Sequence, residues 1–255
     1  MIGIALLSIT FMALANGFGV TSPSQVHQRY AVNLKFTVKP ERRNDFIDLI
    51  RDNQRKTLDL EPAALQYVVG EDIESPNTFY LHEEFIGSEG FDAHRAMDHA
   101  ADWATFKNSN PFVEGGEPTL DFYFDYESGS TKNSLVQSKE AKSISEQPEQ
   151  IPVRPAFCVH VELCVKPEFR EQFLECIQNN QKGTLQTEQL CLQYIYGEST
   201  TTENKFVFHE EYTGKNDGKE GFDAHTKTPH FEAWESFVEK DPFTKEPVVN
   251  FFKTI

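Results

Sequence analysis

Thr78-Phe-Tyr-Leu-His-Glu-Glu-Phe85 decides the fold, because it returns as Lys205-Phe-Val-Phe-His-Glu-Glu-Tyr212. Strand alternation puts Phe79, Leu81, Glu83 and Phe85 on one face and Tyr80, His82 and Glu84 on the other. Working outward, residues 30–85 align with 157–212 at an offset of 127 without a gap, and 87–112 align with 218–243 at 131 after a four-residue insertion. Identities fill 35 of the 82 aligned positions, far beyond chance. A repeat of roughly 100 residues is too long for a solenoid unit and suits a duplicated small domain.

Each copy reads the same way. Val32, Leu34, Phe36 and Val38 alternate along a first strand, matched by Val159, Val161, Leu163 and Val165. Lys39-Pro40-Glu41 opens a helix, since Pro is tolerated in the first turn and acids suit its positive end. Phe46, Leu49, Ile50, Asn53, Thr57 and Leu58 follow at helical spacing. Residues 65–69 form a second strand and Gly70 is expected to begin a turn. After the 78–85 strand come a helical region over 90–106 and a closing strand over 119–125, matched by 248–252. The order β-α-β-β-α-β is ferredoxin-like. Both helices then lie on one face of a four-stranded sheet, and the obvious cover for the bare face is the sibling's sheet. The fold class is therefore α+β: two ferredoxin-like β-α-β-β-α-β domains, 29–126 and 156–255, packed sheet to sheet as an intrachain pseudo-dimeric α/β barrel. Residues 127–155, rich in Ser, Lys, Glu and Gln, read as a flexible linker.

Composition narrows the partners. A net charge of −16 over 255 residues argues against nucleic acid or an anionic membrane surface. The 22 Phe suit strands and a filled core. The four Cys (Cys158, Cys164, Cys176, Cys191) face Ala31, Thr37, Leu49 and Ala64 in the first copy, so the shared fold needs no disulfide. Cys158 and Cys164 share strand parity with His160, which would suit a metal, but buried small hydrophobes are the better-supported reading. The first 28 residues carry no charged side chain, and Ile2 to Ala15 has the length of a secretory apolar segment, too short to span a bilayer comfortably. Ala13-Leu14-Ala15 offers a cleavage site, and Ala15-Asn16-Gly17-Phe18 resembles the junction of algal bipartite plastid presequences. Residues 1–28 are read as a signal or targeting presequence giving secretory-pathway entry, with secretion or a plastid as destination and no membrane association once it is removed.

Polar residues kept in both copies are the site candidates. Asn53 and Asn180 interrupt an apolar helix stripe, where a buried amide must find a partner in a loop or a ligand. His94/His99 and His225/His230 are five apart, which an unbroken helix would aim about 140° apart. Thr228-Pro229 breaks the second pair's helix, so both imidazoles can face one cavity, or each can serve at the surface or as a cap. The spacing does not make a His-x-x-x-His zinc site, and no metal is expected there. Such a pair can move protons near neutral pH. Glu83 and Glu210 alternate with apolar residues, so burial is expected to raise their pKa unless they are paired. Trp103 and Trp234 are pocket wall or plain core. No phosphate loop, Gly-x-Ser-x-Gly elbow or Cys-x-x-Cys pair occurs, so an enzyme here would need no tightly bound nucleotide or metal.

Phe46-Ile-Asp-Leu-Ile-Arg-Asp-Asn53, Phe79-Tyr-Leu-His-Glu83 and Phe222-Asp-Ala-His225-Thr-Lys-Thr-Pro-His230-Phe231 resemble the antibiotic biosynthesis monooxygenase family of dimeric α/β-barrel proteins. The likeness is nearest to its quinol monooxygenase and autoinducer-2-phosphate isomerase branch. It covers both copies, but Arg95-Ala-Met-Asp98 and Ala100 depart from it in the first. The resemblance implies one pocket per domain between helices and sheet. It also implies either oxygenation of phenols or quinols with O2 and no cofactor, or isomerisation of a small phosphorylated dione. Some relatives degrade haem with a first-strand Asn and a helix Trp and His. Asn33 matches that strand position but His160 replaces it in copy two, and His94 and His225 fall near the place of that Trp, so haem is disfavoured.

The leading expectation is a monooxygenase whose partners are a small aromatic, quinol or polyphenolic substrate and O2, with His94, His99, His225 and His230 as proton-moving groups. Asn53, Asn180, Glu83, Glu210, Trp103 and Trp234 would bind the substrate. The isomerase uses the same base without O2, but few Lys or Arg stand near these motifs to take a phosphate. A non-catalytic binding or stress module instead predicts that the His pair points away from any cavity. Further self-association is left open.

Overall fold

A computed structural model describes residues 28–126 and 155–255. The presequence and linker readings fall, but for Gln28 and Pro155, outside the described residues. The first copy comprises β1 (Arg29–Thr37), α1 (Arg43–Leu60), β2 (Ala64–Asp72), β3 (Thr78–Ile86), α2 (Gly87–Arg95), α3 (Asp98–Asn108) and β4 (Thr119–Phe124). The second comprises β5 (Phe157–Cys164), α4 (Arg170–Thr187), β6 (Cys191–Glu198), β7 (Lys205–Tyr212), α5 (Lys219–His225), α6 (Pro229–Val238) and β8 (Val248–Thr254). Pro40 and Pro167 each open a short 3-10 turn that runs into the long helix, as a residue without a backbone N–H can at a helix start.

All eight strands join in one antiparallel sheet of order β4-β1-β3-β2-β8-β5-β7-β6, each copy contributing the ferredoxin-like half. β2 pairs with β8 from Gly70↔Thr254 to Asp72↔Phe252. The opposite edges meet through Tyr126 N–H to Tyr196 O at 3.1 Å and Thr200 N–H to Phe122 O at 2.8 Å, so the sheet nearly closes into a barrel. Gly70 does not begin a turn: β2 continues through it to Asp72. Gly70 and its counterpart Gly197 sit at the two seams, where a Cβ would lie 2.3 Å from the Phe252 ring and 2.0 Å from Phe124 O. Glycine is needed for backbones to approach that closely.

Closure gives the sheet two buried faces. Outside, Phe36, Phe46 and Phe79 in one copy and Phe173, Phe206 and Phe237 in the other pack between strands and helices. Inside, small apolar clusters such as Ala31, Tyr123, Ile195 and Val207 share the barrel with buried His82, His160, His209, Glu84, Glu211 and Gln193. Cys158 and Cys191 are buried, Cys164 and Cys176 partly so, and all four are free thiols.

Candidate active site

In copy two the site forms where α4 ends and the α5–α6 break begins. Thr228 is extended (φ −87°, ψ 153°), its Oγ1 accepts from Phe231 N–H at 3.3 Å, and Pro229 starts α6. An N-cap of this kind stabilises a helix start by about 1 kcal/mol. The break lets two imidazoles five residues apart converge. Both meet Glu188, the residue after α4: His225 Nδ1 is 2.8 Å and His230 Nε2 2.6 Å from the same Oε1. Burial works to raise the Glu188 pKa, but hydrogen bonds and charge from His225 and His230 hold it below the usual carboxylate value. An ionised carboxylate can only accept, so both nitrogens donate to it. His225 in its neutral form therefore carries its proton on Nδ1 and its lone pair on Nε2.

His225 lines a cavity of about 220 Å³ with Asn180, Tyr194, Glu210, Phe231 and Trp234. The rest of the wall is Val, Leu, Ile, Phe and Pro, with no Lys or Arg among the described residues. Asn180 Nδ2 donates to Tyr194 Oη at 3.2 Å, while its buried Oδ1 has no partner. Burial raises the pKa of Glu210, against the pull of His225, and Tyr212 Oη donates to it at 2.7 Å. Trp234 lines the cavity and packs on Phe173 and Phe237. His230 is absent from the wall and lies against Gly183, where a Cβ would meet its Nδ1 at 2.5 Å.

Copy one repeats the carboxylate bridge and alters its surroundings. His94 Nδ1 and His99 Nε2 reach Glu61 Oε1 at 2.9 and 2.6 Å. Here the threonine preceding the bridge, Thr57, contacts His99 at 3.3 Å, whereas Thr184 contacts His225 at 3.3 Å. His94 Nε2 stands 3.9 Å from Glu83, which burial, partly offset by His94, raises to about 6. Burial works to lower the His94 pKa, but Glu61 and Glu83 outweigh it and raise it. Asn53 Nδ2 reaches Tyr67 Oη at 3.5 Å and its Oδ1 is unpartnered. Phe36 stands where copy two has Leu163, with its ring 5.5 Å from that of Trp103, which is packed into the core.

Glu61 and Glu188 escaped the sequence reading, although they are identical in the alignment. Each Glu–His–His set brings its ligand atoms within 4.8 Å, a two-His, one-carboxylate group that could hold a metal. To do so it must give up the two N–H donations that now fill that space.

Residues 29–105 and again 156–236, more than half of the chain, match the family described as antibiotic biosynthesis monooxygenase. No curated protein sequence matches. Among solved structures, a protein described as a candidate monooxygenase from Lactobacillus acidophilus is 18% identical, with a TM-score of 0.66 over 88% of this chain and 93% of that one. One from Fusobacterium nucleatum is 16% identical, with a TM-score of 0.69 over 90% and 94%. An anthrone oxidase-like protein is 14% identical, with a TM-score of 0.56 over 91% and 92%. At these identities the likeness is one of fold.

Proposed function

The chain belongs to the antibiotic biosynthesis monooxygenase family, and from that premise we propose that its second copy oxygenates a small phenol or quinol with O2 and no added cofactor. The observation that carries this reading is that His225, a residue of the apolar cavity's wall, is held by Glu188 at Nδ1, which leaves Nε2 as the nitrogen with a lone pair to offer. Glu188 orients the base much as a triad carboxylate orients its histidine. Asn180 is a residue of the cavity wall, and its buried, unpartnered Oδ1 is an acceptor in need of a donor, which a substrate hydroxyl supplies and a dione lacks. A phosphorylated dione would also need a cation, which none of the described residues of the wall offers. A cavity of about 150 Å³ holds benzene, so about 220 Å³ suits one or two rings.

Nε2 removes the substrate proton, and the electron-rich anion reacts with O2 to give a carbon-bound peroxide. Loss of water from it leaves a new carbonyl. One oxygen atom stays on the substrate and the other leaves as water, so the substrate supplies all four electrons and no external reductant is consumed. Oxygen uptake across a panel of small quinols and phenols tests the proposal, with 18O2 expected to place one labelled atom in the product. Absence of uptake by folded protein across the panel, with turnover of a small dione instead, would overturn it in favour of the isomerase.

A further inference from the structure

Inside the barrel, His82, His160 and His209 bring one nitrogen each within 4.8 Å of the others, the last two on strands whose alternate residues Val159, Val161 and Glu210 line the cavity. We propose that these three imidazoles form a site for a divalent transition-metal ion of the zinc class.

The outward nitrogens of His82 and His209 are already committed. Asn33 Nδ2 donates to Phe208 O at 2.9 Å, so Asn33 Oδ1 must accept from His82 Nδ1 at 2.8 Å. His82 Nε2 is then a bare lone pair on a fully buried side chain, with no partner. His209 Nε2 is held by Glu211 at 2.9 Å, leaving Nδ1 inward, 3.0 Å from His160 Nε2. Metal-binding histidines commonly carry such a carboxylate or carbonyl on the nitrogen away from the ion. Imidazole is a good ligand for zinc-class ions. All three side chains are buried, and a ligand imidazole must be neutral.

The surroundings hold unsatisfied polar groups. Glu84 Oε1, Glu211 Oε2 and both ends of Gln193 are buried without partners, and orphaned buried groups of this kind mark an ion or water. Arg29 bonds Glu84, and Gln66 and His209 bond Glu211. A cleft of about 20 Å³, room for one water, leads to His160 between Asn33, Asp121 and Glu162. The rings of His82 and His209 lie 8° from parallel, so their in-plane lone pairs cannot meet at one point. Binding therefore splays this stack and displaces the proton between His160 and His209.

The test titrates chelator-stripped full-length protein with Zn2+, following bound zinc by mass spectrometry and the imidazoles by long-range 15N histidine spectra. The expected result is an interior Zn2+ that moves the His82, His160 and His209 signals together and survives Glu61→Gln with Glu188→Gln. His160→Asn, which installs the first copy's own residue, and His82→Gln should each weaken binding by more than the roughly tenfold expected for loss of an outer partner. No binding, or signals moving only at His94, His99, His225 and His230, overturns the proposal. Should a substituted chain fail to fold by circular dichroism, the wild-type spectra decide alone.

Discussion

His82 and His209, counterparts in the two copies, stack face to face across the barrel with ring centroids 3.9 Å apart. Each is fully buried, so neither can be charged cheaply.

Stability should therefore peak in mild acid when metal is excluded. Burial lowers His209 from 6.5 to about 3, so as pH falls below 6.5 the unfolded chain takes up a proton that the folded chain refuses, and stability is lost. Burial raises Glu211 from 4.5 to about 8 and, against Arg29, Glu84 to about 7. As pH rises above 4.5 the unfolded chain releases protons that the folded chain keeps, and stability is lost again through those values. Each group contributes a slope of about 1.4 kcal/mol per pH unit inside its window. Urea denaturation in chelator from pH 4 to 9 should show the maximum where the two windows overlap, between pH 4.5 and 6.5, and Glu211→Gln should flatten the alkaline limb.

His225→Ala should reduce oxygen uptake by about 10²–10⁴-fold, the usual contribution of a positioned base. Glu188→Gln should lower kcat more than it changes KM, because it frees the ring without touching substrate. His94→Ala should leave most turnover intact. Steady-state oxygen electrode traces on the three proteins check the ranking, and an inactive His94→Ala with an active His225→Ala would reverse the assignment of copies.

Leu163→Phe should fill the second cavity with the ring that Phe36 supplies in the first copy. Overpacking of this sort destabilises by about 1–3 kcal/mol. The chain should stay folded while losing activity, as read by thermal denaturation beside oxygen uptake.

Gly197→Ala should cost about 1–3 kcal/mol or more, because its Cβ would strike a backbone carbonyl 2.0 Å away. Gly70→Ala meets the buried Phe252 ring and, at 2.7 Å, the Lys253 carbonyl, a wider backbone approach than at Gly197, so its loss should be somewhat smaller. Urea midpoints of the two proteins give the comparison.

The repeat made the topology legible before any coordinates, because alternation and helical spacing are local and appear twice. Local pattern places a turn at Gly70, whereas the reason for that glycine is the approach of β8 across a seam, which no local pattern records. Glu61 and Glu188 were equally visible as identities. Their meaning lies in histidines 33 to 42 residues later, brought back by the α2–α3 and α5–α6 breaks. The alternation of β3 and β7 also placed His82, His209, Glu84 and Glu211 on a common face. A polar strand face ordinarily means solvent, and only closure of the barrel buries it. The break at Thr228-Pro229 could be read ahead because both residues restrict the backbone locally.

Asn33 and His160 occupy the same position in the two copies, yet one presents an amide and the other an imidazole to its stacked neighbour. Two identical chains meeting across a twofold axis can place only even numbers of any side chain around it. Three imidazoles are an odd number, open only to halves that are free to differ. Covalent duplication thus allows the barrel's interior an asymmetry that no homodimer of the single domain could adopt, and a mutation there alters one side of the axis alone.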